Sequence, residues 1–239
     1  MPRPSNSRVA PFRAPIPIDR TLPTSGQIYR ALRKSIVSLA YEPGEPISEV
    51  EIAAAAEVSR TPVREALGRL QEDRLVVILP SRGTVVSLIS VPIVRQALRL
   101  RRLLEGDVAA ECALALSDAL AVEIDAALAD HRGALARGDI EAGYIADERF
   151  HQALFDAFNL DLLWSNVSQA RLQMERVHNL MVRELRSRDS AVVFHARIRD
   201  AIFARDPARA RQAMIEHIDA SSDFVDALQR SSHRYVAQP

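Results

Sequence analysis

The chain of 239 residues has a single cysteine, Cys112, so no disulfide can close within it. That scarcity fits a reducing compartment. Cys112 lies in VAAECALAL, where a small buried thiol is expected rather than a reactive one. Lysine is nearly missing as well. Lys34 stands against an otherwise all-arginine basic set, so arginine abundance carries no functional message by itself. No run approaches the roughly 18 uncharged apolar residues of a membrane span. The first residues hold Arg and Pro but no apolar signal-peptide core. The expectation is a cytoplasmic protein with no membrane partner.

The 31 basic and 31 acidic side chains cancel, yet unevenly. Residues 1–90 carry 12 basic against 9 acidic groups, and the remainder carries 19 against 22. A slightly basic first third suits a polyanion, although the excess is too small to argue alone.

Residues 1–23 are proline-rich with little periodicity and read as a mobile arm. From Ser25 a helix places Ile28, Leu32, Ile36 and Leu39 on one face, and EPGEP ends it with turn chemistry. Ser48 caps a short helix, EVEIAAAAEV. TPVREALGRLQEDR starts a third, with Thr61 as N-cap and Pro62 at the first helical position. LVVILPSRGTVVSLI reads as two β-branched runs about a Pro-Ser-Arg-Gly turn, a hairpin. Three helices and a hairpin over 24–90 make a winged helix-turn-helix. Residues 91–230 read as six helices, at roughly 92–115, 118–136, 139–158, 161–187, 190–205 and 207–229, with a tail over 231–239. The fold class expected is mainly α, a winged helix-turn-helix with a small β wing followed by an all-α six-helix bundle.

The informative stretch is VSRTPVREALGRLQEDRLV. Thr61 and Pro62 open a helix whose free N–H groups suit a phosphate. Arg60 and Arg64 flank that end, one able to reach a guanine edge while the other holds the backbone. Val63, Leu67 and Leu70 supply the inner stripe. Arg82 beside Gly83, in the wing, aims a cation at the neighbouring minor groove or phosphates. An ordinary amphipathic helix with solvated arginines is the competing reading. The helix-turn-helix layout and the wing weigh against it.

Among six histidines, His151, His195 and His217 fall in helical segments with apolar neighbours. His195 and His217 each lie about eleven residues from the Asp206-Pro207 turn. At about 1.5 Å per residue they stand level in an antiparallel pair. Asp147 and His151 project from one helix face at the i, i+4 spacing that lets two side chains reach one ion. Three imidazoles and a carboxylate suit a divalent Zn, Ni, Mn or Fe ion. The rival pattern is Glu148-x-x-His151 with Glu175-x-x-His178, the Glu-x-x-His motif that ferritin-like di-iron proteins use twice. Depth argues against it, since His151 and His178 come out roughly 13 Å apart along their helices.

The stretch EIAAAAEVSRTPVREALGRLQEDRLV with PSRGTVV resembles the N-terminal domain of the GntR family of bacterial transcription regulators. LRRLLEGDVAAECA, DERFHQALFDAFN, FHARIRDAI and MIEHID resemble the FCD effector domain of its FadR-type subgroup. The resemblance implies DNA contacts from Arg60, Thr61, Pro62 and Arg64, with Arg82 and Gly83 from the wing. Val50 stands where some members have an arginine, so operator preference is expected to differ. It also implies a metal site at Asp147, His151, His195 and His217. The R-x-x-L-E element places Arg101 and Glu105 near the effector cavity, where Arg101 can pair with a ligand carboxylate; a helix-surface ion pair is the alternative. Together these imply a homodimeric regulator of a double-stranded operator that answers to a small carboxylate, most such proteins being repressors. A metal-dependent hydrolase and a regulator with purely structural histidines stay open as rivals.

Overall fold

The computed structural model describes residues 15–80, 82–185, 191–230 and 233–237. The described residues form two compact units, one running to Ser90 and taking in the stretch from His233, the other beginning at Val91.

In the first unit α1 (Thr24–Val37) buries Ile28, Leu32 and Ile36, the i, i+4 stripe read from the sequence. A two-residue strand β1 (Pro46–Ile47) follows, then α2 (Glu49–Ala55) and α3 (Arg60–Glu72). Ser48 caps α2 by accepting a hydrogen bond from the Glu51 N–H at 3.3 Å. The start of α3 needs a correction. Its N-cap is Ser59, with extended φ −72° and ψ 168°, and Arg60 is already helical, so Thr61 lies inside the helix. Pro62 still falls in the first turn, where a missing N–H breaks no helical bond. Strands β2 (Val76–Leu79) and β3 (Gly83–Val86) form the wing hairpin, and β1 joins β3 to make an antiparallel sheet of order β1-β3-β2. That third strand was not read from the sequence, because two residues are too few to show alternation. Gly83 has φ +90°, a conformation that disfavours any residue with a Cβ. Ser81 of the expected turn lies outside the described residues.

The region expected as an arm is described from residue 15, where Ile16 is buried and its N–H donates to the Ala55 carbonyl at 3.1 Å. The chain end also returns to this unit. Ile89 donates to Tyr235 O at 2.8 Å and accepts from Ala237 N at 2.9 Å, which leaves Ile89 and Val236 paired in parallel. Tyr235 is buried against it.

The second unit comprises α4 (Val91–Leu114), α5 (Asp118–Arg137), α6 (Ile140–Asp156), α7 (Asp161–Leu185), α8 (Ala191–Phe203), α9 (Pro207–Asp219) and α10 (Ser222–Arg230). Ser117, Asp139 and Asp206 cap α5, α6 and α9 through their side-chain oxygens, each satisfying a terminal N–H. The expected helix over 207–229 is two helices. Asp219 ends α9, and the Ser221 N–H turns back to Ile218 O at 3.1 Å. Serines at 221 and 222 favour such local breaks because they compete with the helical ladder. Residues 186, 187 and 190 of the expected helix boundaries lie outside the described residues. Helix α4 runs through the core against α7 and α9. At Gly106 the approach of α9 is close enough that a Cβ would meet Ile215 Cγ1 at 3.3 Å. The missing Cβ lets α9 approach α4 next to Glu105.

Candidate metal centre and nucleic-acid interface

Asp147 and His151 come from α6, His195 from α8 and His217 from α9, and one ligand atom from each lies within 4.8 Å of all the others. Nε2 of His151 is 3.2 Å from Nε2 of His217 and 3.2 Å from Nε2 of His195. Nε2 of His195 is 3.4 Å from Asp147 Oδ1. Among the described residues no other group of three or more His, Cys, Asp or Glu converges this way. The di-iron pairing is therefore not formed: His178 lies apart, edge-on to Tyr144 at 6.0 Å and to Phe224 at 6.2 Å.

The donor set fits a cation. An ion bonded at roughly 2.0–2.1 Å to each nitrogen sets neighbouring ligand atoms about 2.8–3.4 Å apart, from right-angle to tetrahedral geometry. The His151–His217, His151–His195 and His195–Asp147 separations of 3.2, 3.2 and 3.4 Å fall in that span. A neutral imidazole has one N–H, and here three ring nitrogens turn to a common point where they cannot all donate to one another.

Burial holds the histidines neutral. His217 is pushed down to about 3, by burial and then by His151. His195 falls well below its ordinary value through burial, with His217 adding to it, and His151 is lowered by burial against the pull of Glu105. Burial alone would raise the Asp147 carboxyl, but the Arg171 guanidinium holds it well below the usual range. All four groups thus present lone pairs rather than protons at neutral pH, as metal ligands must.

Supporting contacts fix their orientation. Glu105 Oε2 lies 2.5 Å from His151 Nδ1, both fully buried. A carboxylate at Nδ1 keeps the proton there and turns the Nε2 lone pair to the site. Arg101 Nε donates to Glu105 Oε1 at 2.5 Å, and Nη2 reaches Oε2 at 3.4 Å. This pair is not the surface ion pair weighed above: its side chains are 7% and 0% exposed. The Phe150 ring stacks on His195 at 4.1 Å and 7°. Arg171 Nη2 donates to Asp147 Oδ2, an interaction with no counterpart in the sequence reading. One more arginine in an arginine-rich chain gives no signal of its own. The i, i+4 relation of Arg171 to Glu175 was the only available hint.

A cavity of about 270 Å³ opens beside the cluster, at the small end of ligand pockets. Its lining includes the polar Asp147, His217, Arg101 and Arg171 and the apolar Met174, Phe194 and Phe224. Cys112 is buried elsewhere in this unit with its thiol pushed up to about 12 by burial, so it is inert as expected.

In the first unit Arg60, Thr61 and Arg64 are exposed at the start of α3, with Pro62 partly exposed among them. Val63, Leu67 and Leu70 point into the core. Arg82 and Gly83 are exposed at the wing. Sequence reasoning missed Glu49. Its Oε2 accepts from Arg60 Nη2 at 2.6 Å and from Arg64 Nε at 3.0 Å, joining the two arginines through one oxygen. The Arg60 hydrogen bond, followed by Arg64, keeps the Glu49 carboxyl below its usual value despite some burial. Val50 beside it is 60% exposed.

Comparison with known proteins matches both units. Residues 24–86 match the model of bacterial regulatory proteins, gntR family, and residues 96–220 match the FCD domain. The chain belongs to the GntR family of bacterial transcription regulators and carries an FCD domain; it is a regulator, not an enzyme. The HTH-type transcriptional repressor RspR of Escherichia coli K12 is 29% identical over 221 residues, covering 92% of this chain and 97% of that protein. A regulator in an unstable DNA locus of Streptomyces ambofaciens is 34% identical over 216 residues, covering 88% of each. The crystal structure of a putative GntR regulator from Rhodococcus sp. RHA1 superposes with TM-score 0.72 at 27% identity, covering 85% of this chain and 98% of that one. No helix among the described residues is long and apolar enough to cross a membrane.

Proposed function

We propose that the protein is a cytoplasmic, homodimeric repressor whose FCD unit holds a divalent ion and a small carboxylate effector. The observation that carries this reading is the convergence of three neutral Nε2 atoms and the Asp147 carboxylate on one point. Asp147, His151, His195 and His217 hold the ion. When bound, the ion supplies positive charge and open coordination positions to an acid. Glu105 orients His151, and Arg101 keeps N–H groups beyond those given to Glu105 with which to meet the ligand carboxylate.

Arg60, Thr61, Pro62 and Arg64, with Arg82 and Gly83 of the wing, contact operator DNA. Two copies read the halves of an inverted repeat. The effector must favour one of the DNA-competent and released states, since equal affinity for both shifts nothing.

Elemental analysis of the purified chain, stripped and refilled with Zn, Ni, Mn or Fe(II), tests the ion site. One ion per chain is expected, falling to none in His195→Ala. Absence of any ion after refilling leaves only the reading in which the histidines are structural. Arg64→Ala is expected to abolish retention of an operator duplex while secondary structure stays intact. Unchanged retention overturns the α3 assignment.

A further inference from the structure

We propose that Arg64 reads a guanine of the operator, that Arg60 holds a phosphate, and that Glu49 is the positioning residue that fixes this division. The inference rests on the proposed α3 contacts with DNA and deepens them by giving each arginine its own target.

Arg60 and Arg64 stand at i and i+4 on α3, so they share one face a turn apart. Glu49, the first residue of α2, sets a single oxygen between them. The two hydrogen bonds use different nitrogens. Arg64 gives Nε, at 3.0 Å. Nε carries one N–H, so this bond leaves both Nη groups, the end of the guanidinium fork, to another pair of acceptors. Arg60 gives Nη2, at 2.6 Å, which engages one arm of its fork. Guanine asks for two donors in one plane, because O6 and N7 accept side by side in the major groove. A phosphate oxygen accepts from a single donor and carries no sequence information.

Exposure and charge point the same way. The arginine side chains are 53% and 63% exposed and Glu49 is 25% exposed, so the carboxylate is the more enclosed partner and serves as the anchor. Two guanidiniums this close repel each other, and the shared carboxylate offsets that repulsion. An arginine whose plane is set before DNA arrives loses less freedom on docking. Without the anchor it meets any phosphate equally well, which gives affinity without sequence.

The test uses the full chain and a duplex selected in vitro, with anisotropy read at low salt. Each guanine is replaced in turn by 7-deazaguanine, which lacks only the N7 acceptor. One guanine is expected to give the wild-type chain a penalty of about tenfold, on the scale of part of a bidentate contact. Arg60→Ala is expected to weaken binding and flatten its salt dependence while keeping that penalty. Arg64→Ala is expected to lose the penalty at that guanine. Glu49→Ala, with its secondary structure verified by circular dichroism, is expected to narrow the penalty to about threefold or less, with Glu49→Gln in between because it keeps an acceptor oxygen. A penalty that survives intact in Glu49→Ala, one that follows Arg60 in place of Arg64, or none at any guanine overturns the inference. Full retention of the duplex by Arg64→Ala instead strikes the α3 assignment itself, and so separates the two claims.

Discussion

The two units use arginine in opposite ways. Arg60 and Arg64 of the DNA-binding unit are 53% and 63% exposed and share one oxygen of Glu49. Arg101 and Arg171 of the FCD unit are 7% and 5% exposed, and each has an acid of its own. Exposed pairs contribute about 0–1 kcal/mol and give way readily. Removing one partner of a buried pair costs about 3–5 kcal/mol because the other charge is stranded. The first arrangement would let either arginine exchange the glutamate for a phosphate or a base in making the proposed DNA contacts. The second suits a site whose charge is fixed before a ligand arrives.

This contrast is broken most severely at Glu105. Glu105→Ala strands Arg101 and frees His151, so the FCD unit is expected to lose about 3–5 kcal/mol in urea unfolding. A loss below 1 kcal/mol would show that Arg101 finds water or another partner.

Removing Tyr235 probes the returning chain end. Tyr235→Ala is expected to cost the DNA-binding unit about 2 kcal/mol, the scale for burying one large side chain. Amide exchange at Ile89 should quicken in parallel. Unaltered exchange at Ile89 would mean that Tyr235 adds nothing to the pairing of Ile89 with Val236.

Acid sharpens the comparison, because the FCD unit alone buries neutral histidines. His217 titrates near 3 in the folded chain against about 6.5 unfolded. An unfolded histidine then binds the proton more tightly than the folded one. Its contribution to stability is full above about pH 6.5 and declines as pH falls toward 3. His151 and His195 shift in the same direction. Apo protein should therefore melt lower at pH 5 than at pH 7.5, with the drop confined to the FCD transition and reduced in His217→Gln. An equal drop in both transitions contradicts the assignment.

Glu49→Ala gives the smallest stability effect, under about 1 kcal/mol. Its larger consequence is on DNA. Freed arginines should bind a random duplex more tightly and with a steeper salt dependence, and equal affinity would show that Glu49 restrains neither.

Much of this was legible because periodicity and caps are local. The stripe Ile28, Leu32, Ile36 announced α1, and Ser48, Ser117, Asp139 and Asp206 stand at helix starts that the structure keeps. The level placement of His195 and His217 followed from equal spacing about Asp206-Pro207. What stayed hidden depends on distant partners. Glu49 meets Arg60 and Arg64 across a turn, Arg171 meets Asp147 across two helices, and Tyr235 meets Ile89 from the far end of the chain. None of these pairs has a spacing that a helix or strand period would reveal. The break at Ser221 was missed because DASSD sits inside an otherwise continuous apolar periodicity.

The central claim is that the His/Asp cluster of one unit governs DNA binding by the other. Fluorescence anisotropy on a duplex selected in vitro tests it most directly, with zinc-loaded protein titrated with a small carboxylate that thermal shift shows to bind it. The wild-type chain is expected to lose at least about tenfold in DNA affinity, while Asp147→Ala, folded but without the ion, does not respond. An unchanged wild-type affinity, or an equal response from the variant, would contradict it.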